Sequence, residues 1–257
     1  MNQTEKRKYL IRCLLAEQPR YEKTEIPADE QGQKQLLRCL FNIRIPGKTG
    51  DDFLTVQDEY LKEAIKEKGI TDYKNLRPIE PGTYLWQGDI TTLRCGAIVN
   101  AANSGMTGCW QPCHNCIDNC IHTYAGVQLR NLCAEIMEKQ GYAEPTGQAK
   151  ITPAFNLPCE YVIHTVGPIV SGKLNETQKE GLASCYRSCL KIADENDVGS
   201  IAFCCISTGV FGFPQHKAAE IAVRTVKEYK DKTKSNIEVI FNVFRDEDCD
   251  IYRKLLG

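Results

Sequence analysis

Net charge is what this sequence has least of: 32 Lys and Arg stand against 33 Asp and Glu in 257 residues. A chain so balanced carries no global field to draw in nucleic acid or an anionic membrane surface. Long hydrophobic runs are missing too, and no window approaches the roughly eighteen apolar residues of a transmembrane helix. Nothing resembles a signal peptide, because the apolar stretch from Tyr9 to Ala16 is short and interrupted by Arg12. Internal repeats and low-complexity segments are also absent. The expectation is an ordinary globular protein of the cytoplasm, with neither nucleic acid nor membrane among its partners. Its length suits one large domain, or one typical domain with an appendage.

Cysteine, by contrast, is abundant, at fourteen residues. Without an export signal a disulfide framework is not expected, since a reducing cytosol keeps thiols free. Cys13, Cys39, Cys185, Cys189, Cys204 and Cys205 lie among apolar neighbours and read as small buried hydrophobes. The four cysteines and one histidine between Cys109 and Cys120 are a different case, because they fall in a loop marked by glycine and proline.

Residues 1–77 read as a helical N-terminal lobe. Leu10, Cys13 and Leu14 form one apolar stripe at three-and-four spacing, and Leu36, Leu37, Leu40 and Phe41 form another. A third helix is predicted over Asp51 to Lys68, with Leu54, Leu61, Ala64 and Ile65 inward and Gly69 as its stop. Pro78, Pro81 and Gly82 then mark a boundary. Residues 78–257 alternate strands and helices as a layered α/β domain does. Strands are predicted at Thr83 to Ile90, Ala97 to Val99, Ala149 to Phe155, Tyr161 to Val166, Ser200 to Ile206 and Ile237 to Phe244. Helices are predicted at Ile117 to Lys139, Glu176 to Ala193 and Gln215 to Asp231, with a short one after Asp246. Ser200 to Ile206 is almost continuously apolar, the pattern of a central strand buried on both faces.

Three strand ends stand out, because ligands of open α/β sheets bind outside the carboxyl ends of the strands. In the stretch from Ser207 to Phe213, two glycines let the backbone approach a ligand, and its amides suit a phosphate beside a helix start. Asp89 reads either as an acceptor for the amino group of a base or as a solvated turn residue. Asn100 and Asn103 read either as ligand contacts or as side chains bonded to their own loop backbone. Asp118 stands where a helix begins, so capping and catalysis are both open to it. His122 and His164 read as packing or supporting residues.

These residues carry a resemblance. GDIT (Gly88 to Thr91), VNAAN (Val99 to Asn103) and STGVFGFP (Ser207 to Pro214), in this order and spacing, resemble the macrodomain family, which binds ADP-ribose. The resemblance implies a three-layer α/β/α fold with a mixed central sheet, here preceded by a helical extension. It implies that Asp89 holds the adenine amino group, with Ile90 also in the ligand set. It implies too that the loop of Ser207, Thr208, Gly209, Val210, Phe211, Gly212 and Phe213 holds the diphosphate, with Phe211 or Phe213 packing on the distal ribose; either ring reads equally as ordinary core. Asn100 and Asn103 belong to the ligand set by the same resemblance, with Asn103 and Asp118 as the catalytic pair. In hydrolytic macrodomains the second asparagine precedes a glycine-rich loop and an Asp-x-x-Ile-His segment. Asp118 to His122 (DNCIH) matches that segment, but the loop is replaced by Cys109 to Cys116.

That replacement resembles the zinc-dependent macrodomain branch. Cys109, His114 and Cys116 form a C-x4-H-x-C set, three soft ligands that leave a fourth position open as catalytic zinc sites do. Cys113 or Cys120 would close the set as a structural site; the resemblance favours Cys109, His114 and Cys116, one zinc per chain. Cys109, Cys113 and Cys116 also have the spacing of radical S-adenosylmethionine enzymes, whose thiolates hold a [4Fe–4S] cluster. Those enzymes need a barrel of βα units, and this chain has too few.

The function the resemblance implies is zinc-dependent hydrolysis of mono-ADP-ribose from protein Asp or Glu side chains, with a lipoyl-carrier protein among the implied targets. The alternatives are a reader that binds ADP-ribose and releases nothing, and a deacetylase of O-acetyl-ADP-ribose.

Overall fold

A computed structural model describes every residue of the chain except Glu22. Three helices open it: α1 (Gln3–Ala16), α2 (Glu30–Ile43) and α3 (Asp51–Lys68). Asn2 caps α1 through a reciprocal bond pair with Glu5, and Asp29 caps α2 through the Gly32 amide. Gly69, at φ 88°, ends α3 where the sequence places the stop. Leu10, Ile11, Leu14, Leu37, Leu40, Phe41, Phe53, Val56, Tyr60 and Leu61 close into a second apolar cluster, which Val127 from the α/β part joins.

A two-residue strand β1 (Thr71–Asp72) leaves this lobe and pairs with β3 (Leu93–Arg94), an element the sequence did not reveal. The main sheet is built from β2 (Thr83–Gln87), β4 (Ala97–Ala102), β5 (Ala149–Pro153), β6 (Tyr161–Val166), β7 (Ser200–Phe203) and β8 (Glu238–Val243). Its order is β2-β8-β7-β4-β6-β5; the pairs are parallel except β5 against β6, so the sheet is mixed.

Register assigns the faces. Asn100 of β4 lies beside His164 of β6, so both point to the same side. On that side sit α4 (Ile117–Ala125), whose Asp118 bonds Asn100, and α5 (Val127–Gln140), whose Cys133 lies 3.9 Å from His164. Phe203 and Phe241 are register partners on the other side. They stack on Tyr186 of α6 (Glu176–Glu195) and on Tyr252 of α8 (Asp246–Leu256), with ring centroids 4.9 and 5.1 Å apart. With α7 (Gln215–Thr233) packed between those two helices, the result is a three-layer α/β/α fold. Among the described residues no helix is long and apolar enough to cross a membrane.

The helix predicted over Ile117 to Lys139 is two helices. Gly126 ends α4 and starts α5; its φ of 96° favours glycine, and the amide ends of Gln57, Gln128 and Asn156 would have to shift to admit a Cβ. The break lets Gln57 of the helical lobe accept the Val127 amide at 3.0 Å. The strand predicted over Ser200 to Ile206 is regular only to Phe203, after which the chain peels into its ligand-facing loop.

Candidate active site

The ends of β2, β4 and β7 bring three loops to one edge of the sheet. After β2, Asp89 caps a short 3-10 turn (Ile90–Thr92): its Oδ1 accepts the Thr91 amide (3.0 Å) and hydroxyl (2.6 Å). Its Oδ2 accepts from Lys68 Nζ, at 2.7 Å, reaching over from α3. Burial works to raise the Asp89 pKa, but the Lys68 ammonium and the Thr91 hydroxyl and amide together hold the carboxyl below its ordinary value. Ile90, read from the sequence as a ligand contact, is 2% exposed and packs in the main core. Beside them Phe244, just past β8, is 75% exposed. Gly88 donates to the Val243 carbonyl at 3.0 Å, which brings the end of β8 alongside the loop that carries Asp89. Sequence reasoning missed Phe244; an aromatic at the exposed end of an apolar strand was its signal.

The loop after β7 doubles back on itself. Ser207 is in the left-handed region at φ 66°, its carbonyl accepts the Phe213 amide, and Gly212 donates to Gly209 at 3.0 Å. Gly209 and Val210 stand exposed, Thr208 and Phe211 are half-buried, and no hydrogen bond among the described residues engages the amides of Gly209, Val210 or Phe211. Since α7 begins at Gln215 with no side-chain cap, those amides and the helix start form one electropositive cradle. Of the two rings the sequence offered for the distal ribose, Phe213 is the one that belongs to the core. The reversal turns its ring into the hydrophobic core, where it is 2% exposed, and it cannot pack on a ligand.

The loop after β4 holds the remaining chemistry. Asn100 does not bond its loop backbone. It is wholly buried and its amide donates to Asp118 Oδ1 at 2.8 Å and faces His164 Nδ1 at 3.2 Å, so it supports the carboxylate from behind. Asn103 bonds its own loop backbone, its Oδ1 accepting the Gly105 amide and its Nδ2 donating to the Gly108 carbonyl (3.0 Å), and the same Nδ2 also donates to Asp118 Oδ2 (3.2 Å). Asp118 is not the helix cap. Cys116 occupies that position with its Sγ on the Asn119 amide, and Asp118, in the first turn, is free to point inward. Burial pushes its carboxyl up to about 6, against the pull of the two asparagine amides and Arg130.

His122, one turn on, packs under Gly108 with its Nε2 3.6 Å from Asp118, too long for a hydrogen bond. His164 is fully satisfied in its neutral form, accepting from Asn100 at Nδ1 and facing Thr152 Oγ1 at 3.0 Å through Nε2. Burial pulls its pKa down to about 3.

Cys109, His114 and Cys116 come together with their donor atoms within 4.8 Å of one another, and Cys109 Sγ lies 3.7 Å from His114 Nδ1. Tetrahedral zinc with bonds of about 2.1–2.3 Å sets its donors about 3.5–3.8 Å apart. The donor set and spacing fit that ion with one position left over. Burial pushes the Cys116 thiol up to about 12, and a bound cation is what reverses such a shift.

Cys113 stays outside the donor set, as the favoured reading had it, but it is paired where free thiols were expected. At φ 55°, with its amide held by Asn42 Oδ1 at 2.9 Å, it turns away from the donor set and forms a disulfide with Cys39 of α2, the Cα atoms 5.1 Å apart. Cys39 is therefore neither a free thiol nor a buried hydrophobe, and the three-cysteine pattern of a cluster-binding radical enzyme is broken. Arg38 of α2 adds to the grip: its Nη2 donates to the His114 carbonyl (2.7 Å) and Asn119 Oδ1 (3.1 Å).

Residues 99–222 match the family described as Macro domain. The chain is 60% identical to a Treponema medium protein named Protein-ADP-ribose hydrolase, over 100% of both chains. It is 49% identical to a protein of the same name from Staphylococcus aureus (strain MRSA252), over 96% of this chain and 93% of the other. The fold superimposes on a Trypanosoma brucei macrodomain in complex with ADP-ribose, with TM-score 0.66, 28% identity, 82% of this chain and 92% of that one. It superimposes likewise on an Oceanobacillus iheyensis macrodomain variant with ADPR, with TM-score 0.60, 38% identity, 67% of this chain and 90% of that one. With the strand-end loops in place and relatives matching over full length, the chain belongs to the Macro domain family.

Proposed function

We propose that the protein is a hydrolase that removes ADP-ribose from modified protein side chains, with Asp- or Glu-linked mono-ADP-ribose as substrate and zinc held by Cys109, His114 and Cys116. The observation that carries this reading is the Asn103–Asp118 contact, set between the exposed nucleotide loops and the Cys/His set. Relatives named Protein-ADP-ribose hydrolase support it.

In this reading the adenine lies against Phe244 and Asp89, and the diphosphate takes the amides of Gly209 to Phe211. That leaves the distal ribose beside Asn103. Hydrolysis adds a water oxygen to the anomeric carbon while the bond to the side-chain carboxylate breaks, and the bonding pair departs with that carboxylate. Such a leaving group needs no strong general acid. Asn103 positions the sugar, and Asp118, ionised above about pH 6, holds the water and accepts its proton. Asn100 keeps the carboxylate in place from behind. Cys109, His114 and Cys116 would hold the zinc, which when bound would supply Lewis acidity.

The test is incubation with aspartyl- and seryl-ADP-ribosylated protein, with free ADP-ribose measured before and after chelation. Release from the aspartyl substrate, lost on chelation and restored by zinc, is the expected result. Tight binding of ADP-ribose with no release from either substrate would make the protein a reader.

A further inference from the structure

Lys68 belongs to the helical lobe, yet its ammonium ends in the nucleotide site. It is the last residue of α3, placed where a cation is favoured by the helix's own dipole. From there its Nζ lies 3.6 Å from the centroid of the Tyr124 ring on α4 and 2.7 Å from Asp89 Oδ2. The aromatic face steers the ammonium, which leaves it little choice of partner.

A carboxylate offers about four acceptor positions, two on each oxygen. In Asp89 the Thr91 amide and hydroxyl occupy two on Oδ1, and Lys68 occupies one on Oδ2. One position remains, on the oxygen that Lys68 already orients, and 38% of the Asp89 side chain is still exposed. That single opening matches one N–H of an exocyclic amine. A 6-oxo base would set its own acceptor against the same carboxylate.

We propose that Lys68 is a positioning residue of the base subsite: it locks Asp89 so that the one remaining acceptor faces the 6-amino group of adenine. The helical lobe thereby takes part in choosing the nucleotide. This rests on Asp89 meeting the base, as in the proposed function. A locked carboxylate loses no rotamer freedom when ligand arrives, whereas a free one does.

The test is calorimetric titration of ADP-ribose and of its hypoxanthine counterpart, inosine diphosphate ribose, into the parent, Lys68→Met, Lys68→Arg, Asp89→Ala and the Lys68→Met/Asp89→Ala double variant. Thermal unfolding is followed on each. Lys68→Met should bind ADP-ribose about three- to tenfold more weakly, the factor expected for re-ordering one side chain. It should also discriminate less against the 6-oxo base, and Lys68→Arg should restore both properties in large part. In the Asp89→Ala background Lys68→Met should cost nothing further, because its effect runs through that carboxylate. In turnover the loss should fall on KM rather than kcat, since the bond broken lies at the far end of the nucleotide.

A Lys68→Met variant that is folded and binds ADP-ribose as tightly as the parent, or tighter, overturns the proposal even where Asp89→Ala is weak. Unchanged binding in Asp89→Ala overturns the base-subsite reading itself. Additive losses in the double variant would show that Lys68 touches the ligand directly, and would overturn a positioning role.

Discussion

Gly108→Ala is the sharpest probe of the loop that carries the candidate metal ligands. Gly108 sits at φ 82°, and a Cβ added there would lie 2.7 Å from His122 Cγ, 2.9 Å from Cδ2 and 3.1 Å from Nδ1. That ring has nowhere to go: it is 5% exposed, pressed between the loop and Asp118. The left-handed backbone costs an alanine about 1–2 kcal/mol, and forcing a methyl into a packed site costs about 1–3 kcal/mol. The sum, about 2–5 kcal/mol, corresponds to a fall in Tm of about 4–20 °C for a chain of this size. Function should suffer as well, since the Gly108 carbonyl accepts from Asn103 and the next residue is Cys109. The assay is thermal denaturation followed by circular dichroism, with ADP-ribose release measured on the same preparation. Gly199→Ala, where no atom lies within 4 Å of the new methyl and no positive φ opposes it, is the control and should change neither. A Gly108→Ala protein that melts and turns over like the parent would refute the packing of this loop on His122.

Cys116→Ala should abolish bound zinc and ADP-ribose release while weakening affinity for free ADP-ribose less, because the adenine and diphosphate loops lie elsewhere; metal analysis, calorimetry and thermal unfolding on one preparation check this, and a folded variant with the parent rate would make the metal structural. Asn103→Ala removes the amide that ties Asp118 to the Gly108 carbonyl, and release of ADP-ribose should slow by about a hundredfold, the usual cost of a misplaced reacting group. His164 predicts an acid-sensitive fold: its pKa is about 3 when folded and about 6.5 when unfolded, so the unfolded chain binds the extra proton between those values. Its contribution is intact above pH 6.5 and is lost as pH falls, by about 1.4 kcal/mol per unit. Urea denaturation at pH 7 and pH 5 should show that loss, and His164→Gln should reduce it.

The architecture was legible because its signals are local. Alternating apolar strands and amphipathic helices announced the layers, and Gly69 marked a helix end through its own conformational freedom. That three loops share one sheet edge was legible because GDIT, VNAAN and STGVFGFP each occupy a strand end. What was not legible depends on residues brought together from far apart. Lys68 and Asp89 are 21 positions apart, and nothing in a lone lysine at a helix end names its partner. Cys39 and Cys113 are 74 apart, and composition alone pointed to free thiols. The break at Gly126 is dictated by Gln57 and Asn156, which periodicity along one helix cannot see. Phe213 differed from Phe211 only through the reversal of the loop, a geometry that alternation does not encode.

The hold of α2 on the segment from Cys109 to Cys116 has a consequence for how this protein tolerates change. Asn42 grips the Cys113 amide and, through its other amide atom, the Thr123 hydroxyl, while Arg38 ties down the His114 carbonyl. A shortened chain lacking the first helices would keep the sheet and its nucleotide loops and lose the brace that shapes the ligand set. A substitution on α2, far from any bound sugar, would register as a defect in the chemistry. Neither segment is free to drift alone, and a graft of the cysteine-rich loop onto another member of the fold would work only if α2 travelled with it.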